Sequence, residues 1–190
     1  MNSNIALLII DMQNDVVEKL PLAPGIIPGI RDILDRFRTA KKPVFHIRRS
    51  YRSDGTDVEL PRLEIFKEHG FRIVEETRGA EIVEPLKPLP DDYVIIKSRW
   101  SGFCKTNLDL LLNRLGIKTV VLTGVQTPNC VRTTAYDAIA FDFETIVIKD
   151  CSAAMTERVH EYNLADMANI GVQVRLKDEF LKQFESIVMK

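Results

Sequence analysis

Cysteine and histidine are scarce in this chain, with three of each. Three cysteines cannot all pair within one chain, and positions 104, 130 and 151 offer no CxxC spacing. The histidines, at 46, 69 and 160, are scattered, with no HxH or HExxH pattern. A disulfide framework and a preformed zinc site are both without support, so no metal and no cofactor are expected. A dominant charge is also lacking: Lys+Arg number 26, Asp+Glu 27, and the formal net charge is -1. That balance argues against nucleic acid or an anionic membrane as partner. The apolar run near the N-terminus, Ile5–Ile10, is too short to cross a bilayer and follows no basic leader. The expectation is a cytoplasmic protein in a reducing setting that acts on a small molecule.

What is present is an ordinary globular composition, 45% hydrophobic and 28% charged over 190 residues. No linker or internal repeat interrupts it, so one domain spanning 1–190 is expected. Short apolar runs alternate with helix-period segments. Strands are predicted at Ile5–Ile10, Val44–Ile47, Asp92–Lys97, Thr119–Thr123, Glu144–Ile148 and Val172–Leu176. Helices are predicted at Pro28–Ala40, Thr106–Leu115, Arg158–Ile170 and in the tail from Lys177 to Lys190. Gln13 to Ile27 reads as a loop, and Ala80–Leu86 as a short helix or turn. Alternation of this kind gives an α/β fold, a parallel sheet with helices on both faces.

The chain is organised around Val120–Ala140. An apolar strand runs into a turn-forming cluster (Gly124, Gln126, Thr127, Pro128, Asn129), and Cys130 then opens a helix-like segment. A thiol at a helix start faces unpaired N–H groups and the positive end of the helix dipole, which favour the thiolate. The competing reading is a small buried apolar side chain. Asp11 and Lys97 end the first and third predicted strands. In a parallel sheet those ends share one edge, so a carboxylate, an ammonium and a thiol can meet there. The carboxylate can take the thiol proton, and the ammonium can hold both charges in place. Arg48 to Arg78 lacks regular patterning and reads as a loop. Arg48, Arg49, Tyr51 or Arg52 there can meet a polar or anionic substrate, or simply be solvated.

The strings IIDMQND, IIKSRWSGF, TNLDLLL-RLGI and LTGVQTPNCVRTTAYDA resemble the isochorismatase-like cysteine hydrolases, from about Ile5 to Val174. That superfamily includes nicotinamidases, N-carbamoylsarcosine amidohydrolases and ureidoacrylate amidohydrolases. The resemblance implies a three-layer α/β/α fold with a six-stranded parallel sheet and an Asp–Lys–Cys triad at Asp11, Lys97 and Cys130. It also implies a cis peptide between Val125 and Gln126, with the amides of Gln126 and Cys130 as an oxyanion hole, and a homo-oligomer. Gln13, Trp100 and Phe103 join Arg48 and Tyr51 as candidate pocket residues by position, although Trp100 and Phe103 can equally be core or subunit-contact aromatics. Nicotinamidases carry an Asp-x-His and further histidines after strand two; here that region reads FHIRRSYRSDGTD, and His46 has no neighbouring histidine. Val16 stands where the family often places an aromatic side chain. The implied activity is hydrolysis of a C–N bond in a small amide, carbamoyl or ureido compound. Two other readings stay open: phosphoryl transfer on Asp11, although DMQND does not match DxDx[TV], and a catalytically idle interaction domain.

Overall fold

The computed structural model describes residues 4–70 and 72–188. The end of the expected tail helix, residues 189 and 190, lies outside the described residues. Six strands form one parallel sheet: β1 (Ile5–Ile10), β2 (Val44–Arg49), β3 (Tyr93–Lys97), β4 (Thr119–Val125), β5 (Glu144–Ala153) and β6 (Gln173–Arg175). Their spatial order is β3-β2-β1-β4-β5-β6. The order reverses between β1 and β4, and a crevice opens beyond the strand ends at such a point.

β1 shows why the sheet is covered on both sides. All six of its residues are buried, and alternate side chains enter different cores. Ile5, Leu7 and Ile9 pack with Ile30, Ile33, Leu34 and Phe37 of α2 (Ala23–Thr39) and with Phe180 and Phe184 of α7 (Lys177–Val188). Ala6, Leu8 and Ile10 pack on the other face. There they meet Leu108 and Leu112 of α4 (Leu108–Arg114), Ala135 and Ala138 of α5 (Arg132–Ala140), and Leu164 and Met167 of α6 (Glu157–Asn169). The period of two along a strand divides one apolar run between two helical layers.

Several boundaries differ from the sequence reading. Helix α2 begins at Ala23, before the predicted Pro28, because Pro24 sits in its first turn, where its missing N–H costs nothing. A short helix, α1 (Asn14–Val17), replaces part of the predicted loop. The unpatterned stretch after β2 contains α3 (Leu60–His69), whose only buried side chain is Phe66. One buried position in ten leaves no periodic signal to detect. Strand β2 runs two residues past Ile47, so Arg48 and Arg49 belong to the sheet. Strands β4 and β5 are also longer than predicted, ending at Val125 and Ala153. Gly124 in β4 has φ +104, and a Cβ there would lie 2.2 Å from the Ile10 carbonyl oxygen. Only glycine permits this approach of β4 to β1 beside the crevice.

Candidate active site

Three sheet ends supply the site. β1 stops at Ile10, and Asp11 bends away with φ +51, a left-handed conformation that Asp tolerates better than most residues. Its amide donates to the Ile47 carbonyl (2.8 Å) and its own carbonyl accepts from Gln13 N (2.8 Å). Lys97 ends β3, in register with Arg49 of β2. Paired positions of neighbouring strands share a face, so both cations lie on the side where Phe45, Ile47 and Ile95 are buried. Lys97 Nζ donates to Asp11 Oδ2 at 2.8 Å and to the Arg99 carbonyl at 3.1 Å. Asp11 Oδ1 is buried and has no hydrogen-bond partner among the described residues.

Cys130 lies beyond β4 in a wide turn, Thr127–Val131, that precedes α5. The turn is closed by Asn129 N and Val131 N, which both donate to the Gln126 carbonyl, at 3.0 and 3.2 Å. The Val125–Gln126 peptide bond is cis. Two buried hydroxyls brace the turn. Thr134 Oγ1 donates to the Cys130 carbonyl (2.6 Å) and accepts from Gly102 N (2.9 Å). Thr127 Oγ1 is 2.8 Å from Nδ1 of His160 on α6. Burial, above all, holds His160 below its usual range, against the pull of Glu161 and Glu157, so it remains neutral in this contact.

Cys130 is 6% exposed. Arg49 Nη2 donates to its Sγ at 3.5 Å, and the Asp11 carboxylate lies against it. Burial and then the Asp11 charge push the thiol up to about 11, while Lys97 and Arg49 pull the other way. The resting group is a thiol beside a carboxylate. The helix-start argument, taken alone, pointed to a thiolate, and it omits both burial and the neighbouring negative charge.

A cavity of about 390 Å³ opens over the sulfur. Asp11, Arg49, Val125, Gln126, Asn129 and Cys130 form a wall from the sheet ends and the turn after β4; Arg62, Phe66, Arg72 and Ile73 form a second wall from the stretch between β2 and β3. Val16 and Trp100 also line it, and Trp100 is 48% exposed.

The other candidate pocket residues lie elsewhere. Gln13 is fully buried and binds backbone: Oε1 accepts from Arg49 N (2.8 Å), and Nε2 donates to the Arg49 and Ala80 carbonyls (both 2.7 Å). Arg48 falls on the opposite face of β2 from Arg49 and lines a separate groove with Ile82, Pro88 and Val94. Tyr51 is buried behind Arg49, donating to Glu59 Oε2 at 2.7 Å. Phe103 is core, stacked on Phe141 and Phe143. Arg49, which the sequence grouped with its neighbours, is the arginine that reaches Cys130. Strand parity could have separated it from Arg48 had the true end of β2 been legible.

His46 is fully buried with Nε2 3.3 Å from Asp92 Oδ2. Among the described residues no group of three His, Cys, Asp or Glu side chains is arranged to hold a metal. The donor set therefore does not fit the histidine-bound metal of nicotinamidases.

Comparison with known proteins agrees with this fold. The isochorismatase domain profile matches residues 5–179. A crystal structure of an isochorismatase family protein from Desulfovibrio vulgaris superposes with a TM-score of 0.88 at 40% identity, covering 95% of this chain and 100% of that one. A probable inactive nicotinamidase of Arabidopsis thaliana is 37% identical, over 95% of this chain and 96% of its own length. The maleamate amidohydrolase of Pseudomonas putida is 30% identical, over 96% of this chain and 87% of its own. With the family profile covering nearly the whole chain and the sheet, cavity and strand-end residues arranged as described, this chain belongs to the isochorismatase-domain family, which includes amidohydrolases.

Proposed function

We propose that the chain is a cysteine-dependent hydrolase that cleaves a C–N bond of a small amide, carbamoyl or ureido compound through a thioester. Cys130 is the nucleophile. Asp11 Oδ1 takes the thiol proton as sulfur attacks the carbonyl, and the amides of Gln126 and Cys130 receive the oxyanion. Asp11 then protonates the leaving amine, and later activates the water that releases the acid. Lys97 holds the carboxylate in place throughout.

One observation carries this reading. Asp11 is anchored through Oδ2 by Lys97 while Oδ1 is buried with no hydrogen-bond partner among the described residues, and its carboxylate is near enough to Cys130 to act on the thiol. A buried carboxylate oxygen without a partner is costly and calls for an explanation, and the neighbouring thiol is a proton donor that would supply one. The resemblance to a maleamate amidohydrolase supports amide hydrolysis. Lys19, Arg62 and Arg72 around the cavity favour a substrate that carries negative charge. A cytoplasmic homo-oligomer is the proposed setting; all three cysteines are free thiols.

The test is a mass-spectrometric screen for acyl adducts on Cys130 across small amides and ureido acids, followed by turnover of the hits. The adduct is expected to form and decay with product, and Cys130→Ala to lower turnover by about 10⁴-fold or more. Parent-level turnover in Cys130→Ala overturns the reading.

A further inference from the structure

Two cations sit on adjacent strands at the same level, and they serve different atoms. Lys97 Nζ is bound to Asp11 Oδ2 and to the Arg99 carbonyl. Arg49 Nη2 is bound to Cys130 Sγ. We propose that the Arg49 guanidinium is a fourth catalytic group, which stabilises the negative charge that reaches sulfur when Asp11 deprotonates Cys130. This inference rests on the hydrolase reading given above.

The charge balance of that step gives the reason. The S–H bond breaks, an O–H bond forms at Asp11 Oδ1, and the electron pair remains on sulfur. The total charge of the site is unchanged, but the negative centre moves from the carboxylate to the thiolate. Both cations favour the thiolate, but Lys97 is bonded at the first position and Arg49 at the second. With Lys97 alone, no donor would bond the sulfur that receives the charge. The pair supports both ends of the transfer.

Arg49 is also held for this purpose. It is 5% exposed. Gln13 clamps both its backbone N–H and its carbonyl, continuing the sheet past the end of β1. Nη1 donates to Tyr51 Oη (3.0 Å) and lies 3.7 Å from Glu59 Oε1. Glu59 therefore sits on the far side of the guanidinium, and Nη2 remains for the sulfur. Nε is buried with no hydrogen-bond partner among the described residues. Burial works against the charged guanidinium, but Cys130, Asp11, Tyr51 and Glu59 outweigh it, and Arg49 stays protonated above its ordinary range. A guanidinium placed only to neutralise Glu59 would not need an Nη on the thiol.

Alkylation of Cys130 by iodoacetamide, followed by peptide mass spectrometry between about pH 7 and about pH 10, reads thiolate content without a substrate. The charges facing the sulfur are Asp11, Lys97 and Arg49 from the sheet ends, with Asp15, Lys19, Arg62 and Arg72 around the cavity. Arg49→Gln is expected to slow alkylation about tenfold across this range, equal to a rise of roughly one unit in the thiol midpoint. Arg49→Lys, which keeps the charge with a shorter reach, is expected between the two. Arg48→Gln, on the opposite face, is expected to match the parent. A merely structural role for Arg49 gives the opposite sign, since loosening the site exposes sulfur and speeds the reaction. Equal or faster alkylation in Arg49→Gln overturns the inference. If that variant does not fold, a rate for Arg49→Lys at or above the parent's does the same. Failure of the hydrolase reading appears separately, as undiminished turnover in Cys130→Ala.

Discussion

The two walls of the cavity are built in different ways. One consists of sheet ends and the turn after β4, where Asp11, Lys97 and Cys130 are buried and hydrogen-bonded to the core. The other comes from the stretch between β2 and the turns before β3. It contributes Arg62, Phe66, Arg72 and Ile73 and rests on a small cluster of Tyr51, Val58 and Phe66. The first wall is fixed by two helical layers. The second is joined to it through Arg49, Tyr51 and Glu59, and to the rest of the chain through Ile73 N on Asp15 and Arg99 on the Asp57 carbonyl. The division places the proposed bond-breaking groups on rigid elements and the proposed substrate-facing groups on a segment with little core of its own.

Substitutions can sharpen or break this contrast. Lys97→Met should have the largest effect, because it leaves the Asp11 carboxylate buried without its cation. Turnover is expected to fall at least about 10²-fold, and stability by about 3–5 kcal/mol, measured by urea unfolding. A stable, active Lys97→Met protein would mean that the first wall does not depend on the ion pair. Next comes Gly124→Ala, where the new Cβ meets the Ile10 backbone at a positive φ. A loss of more than about 2 kcal/mol is expected, with lower turnover as β4 shifts from β1. Arg72→Ala on the second wall should act on binding alone. KM is expected to rise several-fold, kcat to hold, and stability to change by less than about 0.5 kcal/mol. A large fall in kcat there would erase the distinction between the walls.

The smallest expected effect concerns the brace behind the Thr127–Val131 turn. His160 has its folded pKa lowered by burial, so the unfolded chain binds its proton more readily. Its contribution to stability is complete above the ordinary histidine value of about 6.5 and is lost as pH falls from there through the folded pKa. Unfolding midpoints measured at decreasing pH should therefore decline below about 6.5, and less steeply in His160→Gln.

Much of this was legible in the chain itself. Apolar runs such as Ile5–Ile10 and Thr119–Thr123 marked the central strands, since a strand buried on both faces must be apolar along its length. Asp11 and Lys97 were visible as polar residues ending such runs, and Cys130 as the residue after the turn-forming cluster that follows one. Helix α3 was not, because a helix with one buried side chain has no apolar stripe. Phe103 and Trp100 stayed open between pocket and core, and the structure sends the first to the core and the second to the cavity; neighbours in a loop can turn either way, and composition does not distinguish them.

The sequence by itself determined the α/β alternation, the strands that form the sheet's centre and the residue types brought to its edge. The tertiary structure alone decided which arginine meets the sulfur. Arg48 and Arg49 are identical side chains one residue apart, and the two-residue period of β2 sends one to a surface groove and the other to Cys130. Both lie beyond the apolar part of the strand. They are held in it by Gln13, by the pairing with β3 and by the Tyr51–Glu59 clamp, partners that distant parts of the chain supply only once it has folded.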